Sequence, residues 1–298
     1  MSITNFRAGG AGTGTPSKVT FQTLQEKKQA HTPICALTAY DYATARLVDE
    51  AGVDLILVGD SLAMVVMGYE TTLPVTVDEM LHHTRAVRRA VKRAIVAVDM
   101  PYGSYHGSIY DAVGNAVRFV KEAGAEAVKI EGGAVRCELV ERLVAAEVPV
   151  IGHLGLTPQA VHRMGGYKVQ GKTQAAAEEL ARDARMLEAA GAAAIVLEGM
   201  PREVAADITA QLHVPTIGIG AGPDCDGQIV VFHDLVNLTF TPPAKFVRQY
   251  GDAAALFRAA IAGYKRDVED RAFPTDAESY HMPSKSMPVM AAAGLRKA

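Results

Sequence analysis

Asp60, Asp99, Glu131, His153 and Glu198 stand at the ends of the apolar runs LILVGD, IVAVD, AVKIE, VPVIGH and AIVLE. A short apolar run bounded by turn residues reads as a strand buried on both faces. A carboxylate at such a place is destabilising unless it is paired or holds a metal. Repetition of the pattern along the chain carries the inference. It implies one acidic, metal-binding mouth on a parallel β/α scaffold, and hence an enzyme.

In barrels of alternating strands and helices, active sites gather at the C-terminal ends of the strands. By that rule Asp60, Ser61, Asp99, Lys129, Glu131, His153 and Glu198 converge on one mouth. Lys129 and Glu131 are two apart in one strand and so point to the same face, which is inward. Carboxylates with room for water suit Mg²⁺, a hard ion that keeps several waters. One nearby His and no nearby Cys argue against zinc. Glu198 reads as a general base, its pKa raised by burial among other acids.

Blander readings exist for each residue alone. Asp60 fits a helix N-cap, His153 a hydrogen-bonded core histidine, and Lys129 a partner for Glu131. They fail together, because buried mouth charges without a ligand would be strongly destabilising. His82, His83 and His162 fall in helical or loop contexts and read as surface residues. VPTIGIGAGPDCDGQ resembles a Gly-rich anion loop, and GGYKVQGKT reads as a lid or a solvated loop.

The elements that must position these groups follow a β-then-α rhythm from about residue 34. Strand candidates ICALTAY, LILVGDS, IVAVDMP, AVKIEGG, VPVIGHLGLTP, AAIVLEGMP, VPTIGIGAG and QIVVFHDL alternate with amphipathic stretches. Thr76 is an N-cap candidate, with Glu79 completing a capping box. Gly52, Gly124 and Gly191 follow Ala where helices should stop in the left-handed C′ conformation. Eight strand candidates, and no GxGxxG turn after the first, favour a TIM barrel over an open doubly wound sheet. A last helix is expected near FVRQYGDAAALFRAAIAGYKRDV. The division expected is an arm over residues 1–18, one barrel over 19–273 and a tail over 274–298.

The 298 residues are 49% hydrophobic and 21% charged, as in a globular protein with a large core. A net charge of -3 gives no electrostatic reason to expect nucleic acid or an anionic membrane as partner. Three widely spaced cysteines, Cys35, Cys137 and Cys225, fit a reducing cytoplasm better than a disulfide framework. No run approaches a membrane span, and MSITNFRAGGAGTGTPS lacks the apolar core of a signal peptide. A cytoplasmic location is the expectation.

Together the stretches LTAYDYATARLVDEAGVDLILVGDSLAMVVMGYETTLPVT, VDMPYGSY, VKIEGG, PVIGHLGLTPQ, GGYKVQGKT, VLEGMP and IGIGAGPDCDGQ resemble the ketopantoate hydroxymethyltransferase family. The resemblance implies a (β/α)8 barrel of the phosphoenolpyruvate-mutase and isocitrate-lyase type, Mg²⁺-dependent and assembled as a homodecamer. It implies transfer of a hydroxymethyl group from 5,10-methylenetetrahydrofolate to 2-oxoisovalerate, the first committed step towards pantothenate. Carried over by motif, Asp60 and Asp99 would bind Mg²⁺, with Glu131 completing the site directly or through water. Ser61 and Lys129 would hold the oxo acid, His153 would line its pocket, and Glu198 would be the base.

Three rivals remain at this stage. A lyase or mutase on the same barrel would share the enolate logic. A Schiff-base aldolase would use Lys129, although acidic neighbours should keep that amine protonated. A barrel that only binds small acids has no need to keep base, metal ligands and lysine together.

Overall fold

The structure is a computed structural model and describes residues 17–282. Most of the expected N-terminal arm, and the expected tail from residue 283 onward, lie outside the described residues. The strands are β1 (Ile34–Thr38), β2 (Leu55–Val58), β3 (Ile95–Asp99), β4 (Ala127–Glu131), β5 (Val150–Gly155), β6 (Ala194–Glu198), β7 (Thr216–Ile219) and β8 (Gly227–Val230). They form a closed barrel in sequence order, each parallel to the next, with β8 returning to β1.

The helices are α1 (Phe21–Gln29), α2 (Tyr42–Glu50), α3 (Leu62–Val65), α4 (Val77–Ala90), α5 (Ile109–Ala123), α6 (Cys137–Ala145), α7 (Val161–Met164), α8 (Gln174–Ala189), α9 (Arg202–Gln211), α10 (Phe232–Leu235) and α11 (Ala253–Glu269). Thr76 caps α4 as expected: its hydroxyl accepts from the Glu79 N–H, and the Glu79 carboxylate accepts from the Thr76 N–H at 2.8 Å. Gly124 ends α5 at φ 71°, the left-handed conformation that glycine adopts without a Cβ penalty.

Two connections depart from the expected rhythm. No helix separates β7 from β8; residues 220–226 run directly between them. Pro223, Asp224, Cys225 and Asp226 border a cavity with Lys27 and Lys28. The last helix begins at Ala253, where the Asp252 side chain accepts from the Ala255 N–H, and not near Phe246. The chain divides between Tyr250 and Gly251 into two compact units, the first holding the whole barrel and the second holding α11.

Burial on both faces explains the unbroken apolar runs. Ile34, Ala36, Leu55, Leu57, Ile95, Ala97, Ala127, Ile151, Ala194, Val196, Ile217 and Ile229 fill the barrel interior, and Val19 and Leu24 join that cluster. Leu37, Ile56, Val58, Val96, Val98, Val128, Ile130, Val150, Leu154, Ile195 and Leu197 alternate with them and pack outward against the helices.

Asp54, just before β2, ties α1 to the barrel. Its side chain is 2% exposed and meets Lys27 at 2.5 Å and Arg93 at 3.1 Å, while accepting from the Cys35 N–H. Burial pushes its pKa up, but Lys27, the Cys35 amide and Arg93 hold it below the ordinary value. Asp54→Ala should destabilise the chain by about 2–3 kcal/mol at pH 7. That is less than the roughly 3–5 kcal/mol of a fully buried pair, because the stranded cations can reach water. A lowered folded pKa contributes stability above the unfolded value near ~3.9 and loses it as pH falls through the folded one. Thermal melts should therefore show the gap between parent and variant closing below about pH 4; a constant gap would contradict the ion-pair account.

Candidate active site

Strand parity builds the site. The inward faces of β3, β4, β5 and β6 continue one layer beyond the apolar interior, to Asp99, to Lys129 and Glu131, to His153 and to Glu198. The register sets Asp99 beside Lys129, Glu131 beside His153 and Gly155 beside Glu198. Gly155 has φ +93°, and a Cβ there would meet the Glu198 carbonyl oxygen at 2.1 Å. That close approach lets the Leu156 N–H donate to the same carbonyl at 2.8 Å and fixes the backbone carrying Glu198.

Asp60 and Ser61 lie beyond β2, where the chain turns into α3. Ser61, not Asp60, holds the N-cap position, and it makes no side-chain cap bond. Its hydroxyl is instead 2.8 Å from that of Tyr40. Asp60 is buried, accepts from Gln159 Nε2 at 2.8 Å, and donates its backbone N–H to Asp99 Oδ2 at 3.0 Å. All seven sequence-predicted residues thus border one cavity of about 760 Å³.

The charges are crowded. Lys129 Nζ lies 3.3 Å from Asp99, 3.9 Å from Glu131 and 3.0 Å from His153 Nδ1. Burial alone would lower the Lys129 pKa, but Asp99, Glu131, Asp60 and Glu198 raise it, so the side chain stays an ammonium. Burial, then Asp99 and Glu131, push Asp60 well above the usual carboxylate range. Burial also raises Asp99, against the pull of Lys129. Burial acts the same way on Glu131, yet His153 and Lys129 bring it below its ordinary value.

His153 links this cluster to the base candidate. Its Nε2 lies 3.1 Å from Glu198 Oε2, and its Nδ1 lies 3.5 Å from Glu131 Oε1. Burial and Lys129 disfavour a charged ring, while Glu131 and Glu198 favour it and raise its pKa. The shorter Lys129 contact assigns the Nδ1 lone pair to the ammonium and the ring proton to Nε2, facing Glu198. Glu198 is the least sealed of these acids, with 15% of its side chain exposed against 5% for Glu131. The sequence reading places it among other buried acids. Its place at the last residue of β6 leaves it at the edge of the cavity.

Asp99 Oδ1 and Glu131 Oε1 are buried and accept no hydrogen bond. Among the described residues no three His, Cys, Asp or Glu side chains close into a ready-made metal cage. Buried carboxylate oxygens that accept no hydrogen bond fit a hard cation such as Mg²⁺, which binds through one or two carboxylates and retains water. A second cavity of about 780 Å³, beside Lys27, Lys28, Asp224 and Asp226, has a similar volume. Its lysines are already paired with Asp54 and Asp226. In the first cavity, by contrast, Asp60, Asp99, Glu131 and Glu198 outnumber the one lysine, Lys129, and this excess of buried acid marks it as the site.

Other expectations resolve in detail. His82 and His162 are exposed, but His83 is half-buried, with Nδ1 2.6 Å from the Tyr40 carbonyl. Of the GGYKVQGKT segment, Tyr167 borders the cavity. Gln159, Tyr105 and Tyr40 carry polar contacts of the site that sequence reasoning missed. Each lies outside the strands, where no periodicity marks an inward side chain.

These features define a (β/α)8 barrel with an acidic site at the strand ends, a fold it shares with members of the phosphoenolpyruvate-mutase and isocitrate-lyase superfamily. A 2,3-dimethylmalate lyase of that superfamily superposes with TM-score 0.58 at 18% identity, covering 85% of this chain and 89% of the other. The sequence profile of ketopantoate hydroxymethyltransferase matches residues 18–276, and the chain belongs to that family. The 3-methyl-2-oxobutanoate hydroxymethyltransferase of Koribacter versatilis is 66% identical over 270 residues, 91% of this chain and 92% of the relative. That of Gloeobacter violaceus is 55% identical over 251 residues, 84% of this chain and 96% of the relative.

Proposed function

We propose that the chain transfers a hydroxymethyl group from 5,10-methylenetetrahydrofolate to 2-oxoisovalerate, giving ketopantoate and tetrahydrofolate. The observation that carries this reading is Glu198. It is a carboxylate at the open edge of a buried acidic cluster, with His153 Nε2 3.1 Å from its Oε2.

Asp60 and Asp99 would hold Mg²⁺, with Glu131 completing the site through Oε1. When bound, the ion supplies positive charge to the carboxylate and keto oxygens of the oxo acid. Lys129 and Ser61 orient the same substrate, one as a fixed cation and the other as a hydroxyl turned inward by Tyr40. Leu57, Leu156, Val196, Ile219 and Ile229 border the cavity and suit the branched apolar end of the acid.

Glu198 removes the proton from C3, and the C–H electrons pass into the enolate. Water is the third reactant. It adds to the methylene carbon of the folate, and both C–N bonds break to release that carbon as formaldehyde and leave tetrahydrofolate. The enolate carbon attacks the formaldehyde, and the new alkoxide takes up a proton to become the hydroxymethyl group. His153 keeps Glu198 pointed at the cavity and, through Lys129, shares the charge of the cluster. A permanently protonated Lys129 is a poor amine nucleophile, which disfavours the Schiff-base route.

The free cysteines Cys35, Cys137 and Cys225 accord with a cytoplasmic setting. Among the described residues no helix is long and apolar enough to cross a membrane.

Deuterium exchange at C3 of 2-oxoisovalerate, followed by NMR in D₂O, tests both halves of the reaction. Exchange should require Mg²⁺, and adding methylenetetrahydrofolate should convert the acid to ketopantoate. Exchange without product would mean a different electrophile. No exchange with the metal present would remove the enolate from the mechanism.

A further inference from the structure

Gln159 is buried, has no part in the reaction proposed above, and touches two of its acids. It lies in the helical turn Pro158–Ala160 after β5 and is 5% exposed. Its Nε2 donates to Asp60 Oδ2 at 2.8 Å and to the Met100 carbonyl at 3.0 Å. Its backbone N–H donates to Glu131 Oε2 at 3.0 Å. Its Oε1 accepts from the Tyr105 hydroxyl at 2.7 Å, and that hydroxyl accepts from the Glu131 N–H at 3.1 Å.

Direction along this chain is fixed from one end. The Glu131 N–H can only donate, so the Tyr105 oxygen accepts and sends its own proton to Gln159 Oε1. Gln159 Nε2 must then face Asp60, and both of its protons are used. The side-chain amide therefore engages Asp60 Oδ2 and the backbone N–H engages Glu131 Oε2, and Glu131 Oε1 is left without a hydrogen bond. A terminal carboxylate torsion is otherwise broad, so these bonds decide where Asp60 and Glu131 aim.

We propose that Gln159, backed by Tyr105, is a positioning residue that presets Asp60 and Glu131 for a divalent cation. This rests on the Mg²⁺ reading given above. Outer partners of metal ligands typically change affinity 10–100-fold when removed.

The test is Mn²⁺ binding to the full chain without substrate, read from the electron paramagnetic resonance of the free ion, beside a thermal melt. Gln159→Met keeps length and apolar bulk, removes the side-chain amide that holds Asp60 and accepts from Tyr105, and leaves the backbone N–H to Glu131 in place; it should raise the Mn²⁺ Kd by about 10–100-fold. Tyr105→Phe, which removes one hydroxyl, should raise it by a smaller factor, and it carries the test should Gln159→Met fail to fold. A lowered melting temperature with unchanged Kd in the folded variants would mean that Gln159 only packs, and would overturn the proposal alone. Failure of the parent chain to bind Mn²⁺ would overturn the metal reading and this proposal together.

Discussion

Glu198→Gln should slow C3 exchange of 2-oxoisovalerate by about 10²–10⁴-fold, the usual contribution of a positioned general base. Affinity for the oxo acid should stay within a few-fold of the parent. The two side chains have nearly the same shape, so the variant keeps its place beside His153 Nε2, which lies 3.1 Å from Glu198 Oε2. The backbone is held independently by the Leu156 N–H and by the close approach at Gly155. Loss of rate therefore cannot be assigned to a shifted strand, and the melting temperature should barely move. What the variant lacks is a lone pair basic enough to accept the C3 proton. Exchange measured at saturating oxo acid and Mg²⁺ separates chemistry from binding. An unchanged exchange rate would strip Glu198 of the role of base. Equal losses in exchange and in affinity would make it a substrate-binding group instead.

Much of this site was legible in the sequence because a parallel barrel leaves an unusual trace. Strands covered on both faces must be apolar throughout, so Asp99, Lys129, Glu131 and Glu198 stand out where the runs end. A period of two sets Lys129 and Glu131 on one face from the sequence alone. The unread part lies in the loops. Gln159 and Tyr105 reach the acids from turns after β5 and β3, and their direction depends on backbone geometry that no spacing encodes. Asp60 suited a helix cap equally well from its sequence; the turn gives that place to Ser61 and turns Asp60 towards Gln159. The direct β7–β8 connection was hidden for a related reason. Its Gly-rich stretch is compatible both with a phosphate loop at the mouth and with the extended return that forms.

Asp60→Asn should alter function and stability in opposite directions. Loss of a charged ligand should weaken Mg²⁺ binding and lower exchange by about 10³-fold, equivalent to a few kcal/mol of charge stabilisation. The metal-free chain, by contrast, should become more stable at pH 8 by about 1–2 kcal/mol, or roughly 2–6 °C in Tm. Asp60 is 4% exposed, and burial with Asp99 and Glu131 nearby raises its pKa well above the ordinary value. A folded chain that holds a proton more tightly than the unfolded one is most stable below the unfolded pKa, near ~3.9, and loses that stability as pH rises through the folded value. Asparagine stays neutral and can still accept from Gln159. The two proteins should thus melt together near pH 4 and separate as pH rises, the variant higher. Saturating Mg²⁺ should reverse the order, because the parent alone gains about 2.7 kcal/mol at a concentration 100 times its Kd. Melts at both pH values, with and without Mg²⁺, read all of this at once. A variant less stable than the metal-free parent at pH 8 would show that Asp60 is satisfied by its protein partners, and that its charge is not held in reserve for a cation.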